Sequence, residues 1–240
     1  MIGTILNAIT VAIGSALGLL IGGRLPERIQ SSVVTGLGLV TLVVGVQNAA
    51  QSGNIIIPLL SIAVGAILGE LADLDARLKA LGGWLQHRFG GGEGDGEARA
   101  RFINGFVTAS LVFCVGPLTV VGSIQDGMTG DYQLLAIKST LDGFAALAFA
   151  SVMGIGVAFS ILTILGVQGG LALLGALAGR VMSAPMVAEM TATGGLILIG
   201  LSLVLLDVKH PRMANFLPAL VIAPLIVAVG TALGVSVYPL

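Results

Sequence analysis

Lys138 and Asp142 stand four residues apart at the head of a long apolar run, so on a helix they share a face and can pair. Ionisable side chains are costly in hydrocarbon and by default mark a pathway for ions, protons or polar solutes. At the membrane surface the same pair would be a snorkelling anchor. Upstream, Thr119, Ser123, Gln125 and Asp126 form a polar run leading out of an apolar segment, followed by Gly127, Gly130 and Asp131. Asp126 at the mouth of a span can bind a cation or take a proton; it can also sit in a solvated turn, which the glycines favour. Gly116-Pro117 interrupts the same segment. Proline removes a backbone hydrogen bond and clashes with the preceding turn, so a kinked or broken helix is expected there. Breaks at membrane depth leave amide and carbonyl groups that can hold ions or anionic solutes, although proline also kinks helices that bind nothing. The candidate ion- or solute-binding set is therefore Cys114, Gly116, Pro117, Thr119, Ser123, Gln125, Asp126, Lys138, Ser139 and Asp142.

Other chemistry has little material. The two histidines, His87 and His210, fall in loops far apart in sequence, and HExxH, GxSxG and CxxC are absent. No catalytic residue, metal site or cofactor is expected from this inventory. A single cysteine allows no intrachain disulfide. The run Gly90–Glu97 (GGGEGDGE) has the composition of a flexible linker, without the GxxxxGK[ST] of a phosphate loop. A net charge of −1 argues against a nucleic-acid partner, which needs a concentrated basic face. Asn7, Gln47, Asn48, Ser151, Ser160, Gln168 and Glu189 read first as interhelical hydrogen-bonding residues.

The elements that must position these residues are set by hydrophobicity. Of 240 residues 56% are hydrophobic, in blocks near the length of about 20 that crosses a bilayer. Each block is continuously apolar rather than alternating, which selects helices over barrel strands. The expected fold is all-α, a polytopic transmembrane bundle of about eight spans, at residues 2–22, 33–50, 54–70, 102–121, 141–163, 167–180, 190–206 and 214–238. The sixth is short enough to be re-entrant. With no basic residue ahead of it and Arg24 behind it, the first block reads as a span rather than a cleaved leader. With eight crossings, Arg24, Arg28, Arg77, Lys79, Arg88, Arg99, Arg101, Lys209 and Arg212 share one side, and Lys138 and Arg180 the other. The positive-inside rule makes the first side cytoplasmic and places both termini outside.

Between spans three and four, residues 71–101 read as a cytoplasmic amphipathic helix plus glycine-rich linker. Leu71, Leu74, Leu78, Leu81 and Leu85 recur at alternating threes and fours among Asp73, Asp75, Arg77 and Lys79, with Trp84 as anchor. A helix packed on the bundle as a lid fits the same pattern. Ala12–Gly18 (AIGSALG), Ala63–Gly69 (AVGAILG) and Ala228–Gly234 (AVGTALG) share the spacing A-[IV]-G-x-x-L-G. Gly23-Arg24, then Thr35-Gly36 and an apolar span, recur in the same order as Gly179-Arg180, then Thr193-Gly194 and an apolar span. Spans 1–3 and 6–8 are thus candidates for an inverted repeat of the secondary-transporter kind. Ordinary close packing by small residues explains the glycines as well, and a homodimer seam along glycine-rich faces is a third use for them.

The runs GTILNA (3–8), CVGPLTVVGSIQDG (114–127), GDYQLLAIKSTLDG (130–143) and NFLPALVIAPL (215–225) resemble the YqgA-like bacterial membrane protein family, domain of unknown function 554, over nearly the whole chain. The resemblance implies a multi-span protein of the bacterial cytoplasmic membrane and carries no substrate. The sequence-based expectation is a small-solute or ion secondary transporter, with the bilayer and an unidentified solute as partners and no enzymatic activity. An ion channel, or a non-transporting scaffold or lipid-handling accessory protein, is the alternative.

Overall fold

A computed structural model describes residues 1–22, 26–89, 96–114, 117–178 and 182–234. Every regular element among them is helical: α1 (Ile2–Gly22), α2 (Glu27–Ala49), α3 (Ile56–Ala72), α4 (Leu74–Phe89), α5 (Gly96–Cys114), α6 (Pro117–Thr129), α7 (Gln133–Met153), α8 (Ile161–Ala178), α9 (Ala184–Leu205) and α10 (Ala219–Ala232), with 3-10 turns at Gly154–Ser160 and Met213–Phe216. The chain is a polytopic helical bundle. Lipid offers no hydrogen bonds, so each apolar block must satisfy its own backbone, and the helix is the single-segment way to do so. Ile5, Ile9, Ile13, Leu17 and Leu20 form an exposed stripe along α1, and Val221, Leu225 and Val229 one along α10. Apolar stripes of this length suit acyl chains rather than water.

By length and apolarity five helical runs can cross a membrane, or seven if α3 with α4 and α5 with α6 each count as one bent span. One of the five, Gln133–Leu177, is 45 residues long, about 68 Å at the helical rise and more than twice the hydrocarbon thickness. Its neighbours show that it reverses. Going from α7 into the turn, Phe149 packs on Phe113, Gly105 abuts Met153 and Gly156 abuts Phe102, a descent along α5. Phe159 then stacks on Phe102 at 5.2 Å, and Thr163 bonds Ser110 at 2.9 Å, so α8 climbs α5 again. Gly169 of α8 ends up beside Met1. The expected division of these two spans at residues 163–167 is therefore corrected: the helix starts at Gln133 and turns at Gly154–Ser160. Gly154, at φ 78°, adopts the backbone conformation that stops α7 without a proline.

The chain divides into two compact units. The first holds α1, α5, α7, α8, most of α4 and α6 from Leu118. Its axis is the α1–α7 seam, where a Cβ on Gly14, Gly18 or Gly22 would strike the carbonyl oxygen of Gly143, Leu147 or Ser151. Those partners rise in register with the glycines, so α1 and α7 run parallel. Gly127 and Gly175 let α6 and α8 cross with equal closeness, against the carbonyls of Ala172 and Ile124. α4 closes the unit by burying Leu85 against Phe102 and Phe106.

The second unit holds α2 from Gly38, α3, α9 and α10. Gly45 and Gly195 abut each other's backbones, and Gly65 and Gly69 meet Ala219 and Asn215. Ile57, Ala223 and Val227 form its apolar centre. The last helix begins at Ala219 rather than residue 214, behind a 3-10 turn and Pro218, and residues 235–238 of the expected span lie outside the described residues. The leucine stripe of 71–85 is split: α3 ends at Ala72, Asp73 is left-handed at φ 48°, and α4 starts afresh at Leu74. Leu78 and Leu85 then turn to the core while Leu71 and Leu81 stay exposed.

Candidate ion or solute site

The close approach of α1 and α7 makes the site. With glycine at 14, 18 and 22 the backbones meet, and side chains near the helix starts interdigitate. Lys138 and Asp142 pair along α7 as their spacing predicts, and both are buried, at 6% and 7% exposure. Asn7 of α1, fully buried, donates its Nδ2 amide to Asp142 Oδ2 at 2.9 Å. Both donors land on Oδ2, and no donor among the described residues reaches Oδ1. Asn7 Oδ1 has no partner either, nor has Thr4 Oγ1 one turn earlier on α1. Ser139 satisfies itself on the Leu135 carbonyl at 2.6 Å.

Asp126, on α6, lies at the start of α1. It accepts the Met1 amine at 2.9 Å and the Gly3 amide at 3.0 Å, and it is buried rather than part of a solvated turn. A carboxylate at a helix N-terminus meets free N–H groups and the positive end of the dipole. Cys114, at the end of α5, reaches Thr163 and lies in the field of Lys138 and Asp142. Ser123 and Gln168 are buried, and among the described residues neither the serine hydroxyl nor either amide atom of the glutamine has a partner. A buried amide lacking both partners is costly, at roughly 1–3 kcal/mol per unsatisfied group.

Other members of the candidate set serve locally. Thr119 donates to the Phe113 carbonyl at 3.2 Å, closing the end of α5. Gln125 bonds Asp131 at 2.8 Å in the turn before α7. Pro117 is the first residue of α6, where its missing N–H costs nothing. α5 is described to Cys114 and α6 from Pro117; Gly116, where the break was expected, is not among the described residues. Thr4 and Asn7 were not in the candidate set. Their signal was present, two polar residues three apart in a helix whose other polar side chains are Thr10 and Ser15, but each has a packing explanation on its own.

The second unit has its own buried carboxylate. Glu189 of α9, fully buried, accepts from Ser52 Oγ and Gly53 N, both at 2.8 Å, and from Asn54 N at 3.3 Å. These donors hold the turn that opens α3. Among the described residues no group of three His, Cys, Asp or Glu side chains could hold a metal ion.

A family model described as protein of unknown function DUF554 matches residues 2–228. The chain belongs to this family. It is similar to the uncharacterized protein YqgA of Escherichia coli (strain K12), 33% identical over 232 residues that cover 97% of this chain and 98% of that one. It is also similar to the uncharacterized membrane protein YdfK of Bacillus subtilis (strain 168), 27% identical over 238 residues covering 98% and 99%. No solved structure matches. Both matches run nearly the full length of the chain, so they take in both units.

Proposed function

We propose that this family member is a non-enzymatic secondary transporter of the bacterial cytoplasmic membrane, carrying an ion or small polar solute through its first unit. The observation that carries this reading is the buried Lys138–Asp142–Asn7 cluster between two parallel helices, bordered by polar atoms without partners. A bundle that only packed would gain by filling those positions with apolar side chains, since buried charge pairs are commonly no better than hydrophobic replacements. Their presence at the depth of a span fits transport.

Topology supports an outward N-terminus. Parallel α1 and α7 require an odd number of crossings between them, which α2, α3 and the bent α5–α6 pair supply. With the α7–α8 hairpin, α9 and α10 the total is eight. Arg99 lies near Gly83, and Arg101 lies near Gly154 at the hairpin end, away from Met1, so the basic end of this unit is the cytoplasmic one.

The test is current from proteoliposomes on a solid support, screened with gradients of alkali cations, amino acids and small organic acids. A current that saturates with solute is expected. A current that never saturates would assign a channel instead, and none under any gradient would favour a scaffold or lipid-handling role.

A further inference from the structure

We propose that Asp142 Oδ1, Asn7 Oδ1 and Thr4 Oγ1 form a site for a monovalent alkali cation, with the Lys138 ammonium as its tethered competitor. This rests on the transport reading and names the coupling ion.

Three oxygen atoms have no hydrogen-bond partner among the described residues. Asp142 spends one oxygen on both of its donors and leaves the other open. The Asn7 amide is held against that carboxylate by its nitrogen, so covalent geometry places its partnerless oxygen close by. Thr4 is three residues from Asn7 on the same helix, and residues at that spacing are surface neighbours. Its hydroxyl oxygen is also without a partner. All three residues are at least nine-tenths buried. Three oxygens from two helices, with no nitrogen or sulfur among them, are the ligands of a hard cation.

Charge selects the valence. With Lys138 on Asp142 the cluster is neutral. An arriving cation takes Asp142 Oδ1 while the ammonium swings off Oδ2 on its flexible stem toward the helix start and water, and the single carboxylate then balances one positive charge. A divalent ion would leave an uncompensated charge at membrane depth, where that is expensive. Asp126 does not change the balance, because its carboxylate is bonded to the Met1 amine and the Gly3 amide at the helix start. The lysine gives the site two alternative occupants, one tethered and one mobile. That is the property a coupling site needs, because a cation bound without competition would have no reason to leave.

The experiment uses the full chain in nanodiscs and reads sodium binding by isothermal titration and by the rise in thermal midpoint, with choline at equal ionic strength as control. Wild type should bind sodium, with lithium or potassium competing. Asp142→Asn should lose the effect, and Lys138→Gln, which keeps the carboxylate and removes the competitor, should bind at least about tenfold more tightly, since an adjacent like charge costs a site that much or more. Thr4→Val, an isosteric change, keeps the fold and should weaken binding. The proposal is overturned if wild type and folded Lys138→Gln bind no alkali cation, or if Asp142→Asn binds sodium as wild type does. Sodium binding without any flux would sink the transport reading and leave this site standing; solute flux that needs Asp142 but no alkali cation would do the reverse.

Discussion

The Asn7 amide crosses from α1 to the Asp142 carboxylate on α7 at 2.9 Å, joining residues 135 positions apart in the chain. Among the described residues it is the one side-chain bond that ties the carboxylate to the first helix, and it forms on the oxygen that Lys138 also occupies. The ion pair is therefore oriented as well as neutralised.

Asn7→Ala should destabilise the protein by about 1.5–3 kcal/mol, the range for a buried hydrogen bond to a charged group. A double-mutant cycle with Asp142→Asn should show non-additivity of about 0.5–3 kcal/mol, as residues in direct contact do. Denaturant unfolding in mixed micelles measures both. Additive losses would mean that the two side chains do not meet.

The α1–α7 seam predicts a contrast between glycines. Gly18→Val must push a side chain into the Leu147 carbonyl and should cost about 1–3 kcal/mol or more. Gly166→Ala on α8 meets no neighbouring atom and should change stability by less than about 0.5 kcal/mol. Equal effects on the thermal midpoint would argue against the parallel packing of α1 on α7.

Much of this arrangement was legible in the sequence, for identifiable reasons. The apolar blocks and the Lys138–Asp142 spacing are local patterns, and local patterns survive translation into helices. The Asn7 bond and the Met1 and Gly3 contacts to Asp126 are long-range, and no periodicity encodes which helix faces which. The turn at Gly154–Ser160 was missed because it has no proline and lies inside unbroken apolar sequence; Gly154 and Gly156 were its only local mark. Glu189 read as an interhelical hydrogen bonder, whereas its donors are the turn residues 52–54.

Glu189→Gln should weaken the turn before α3, because a neutral amide accepts less strongly than a carboxylate from Ser52, Gly53 and Asn54. A loss of about 1–3 kcal/mol is expected, with transport per folded molecule unchanged. Full stability with lost transport would place Glu189 on the solute path instead.

Cys114 is the one cysteine of the chain, so wild type carries its own probe of the cluster. If the site opens to water during turnover, a small cationic thiol reagent should label Cys114, and saturating transported ion should slow the labelling. Labelling seen only after denaturation would mean that no aqueous path reaches the cluster.

The most direct measurement of the central claim is initial current in proteoliposomes at matched protein density for wild type, Asp142→Asn and Glu189→Gln. Both substitutions neutralise a buried carboxylate, but only Asp142 belongs to the cluster between α1 and α7. The prediction is that Asp142→Asn falls to background while Glu189→Gln keeps its current. Undiminished current in folded Asp142→Asn would contradict the assignment.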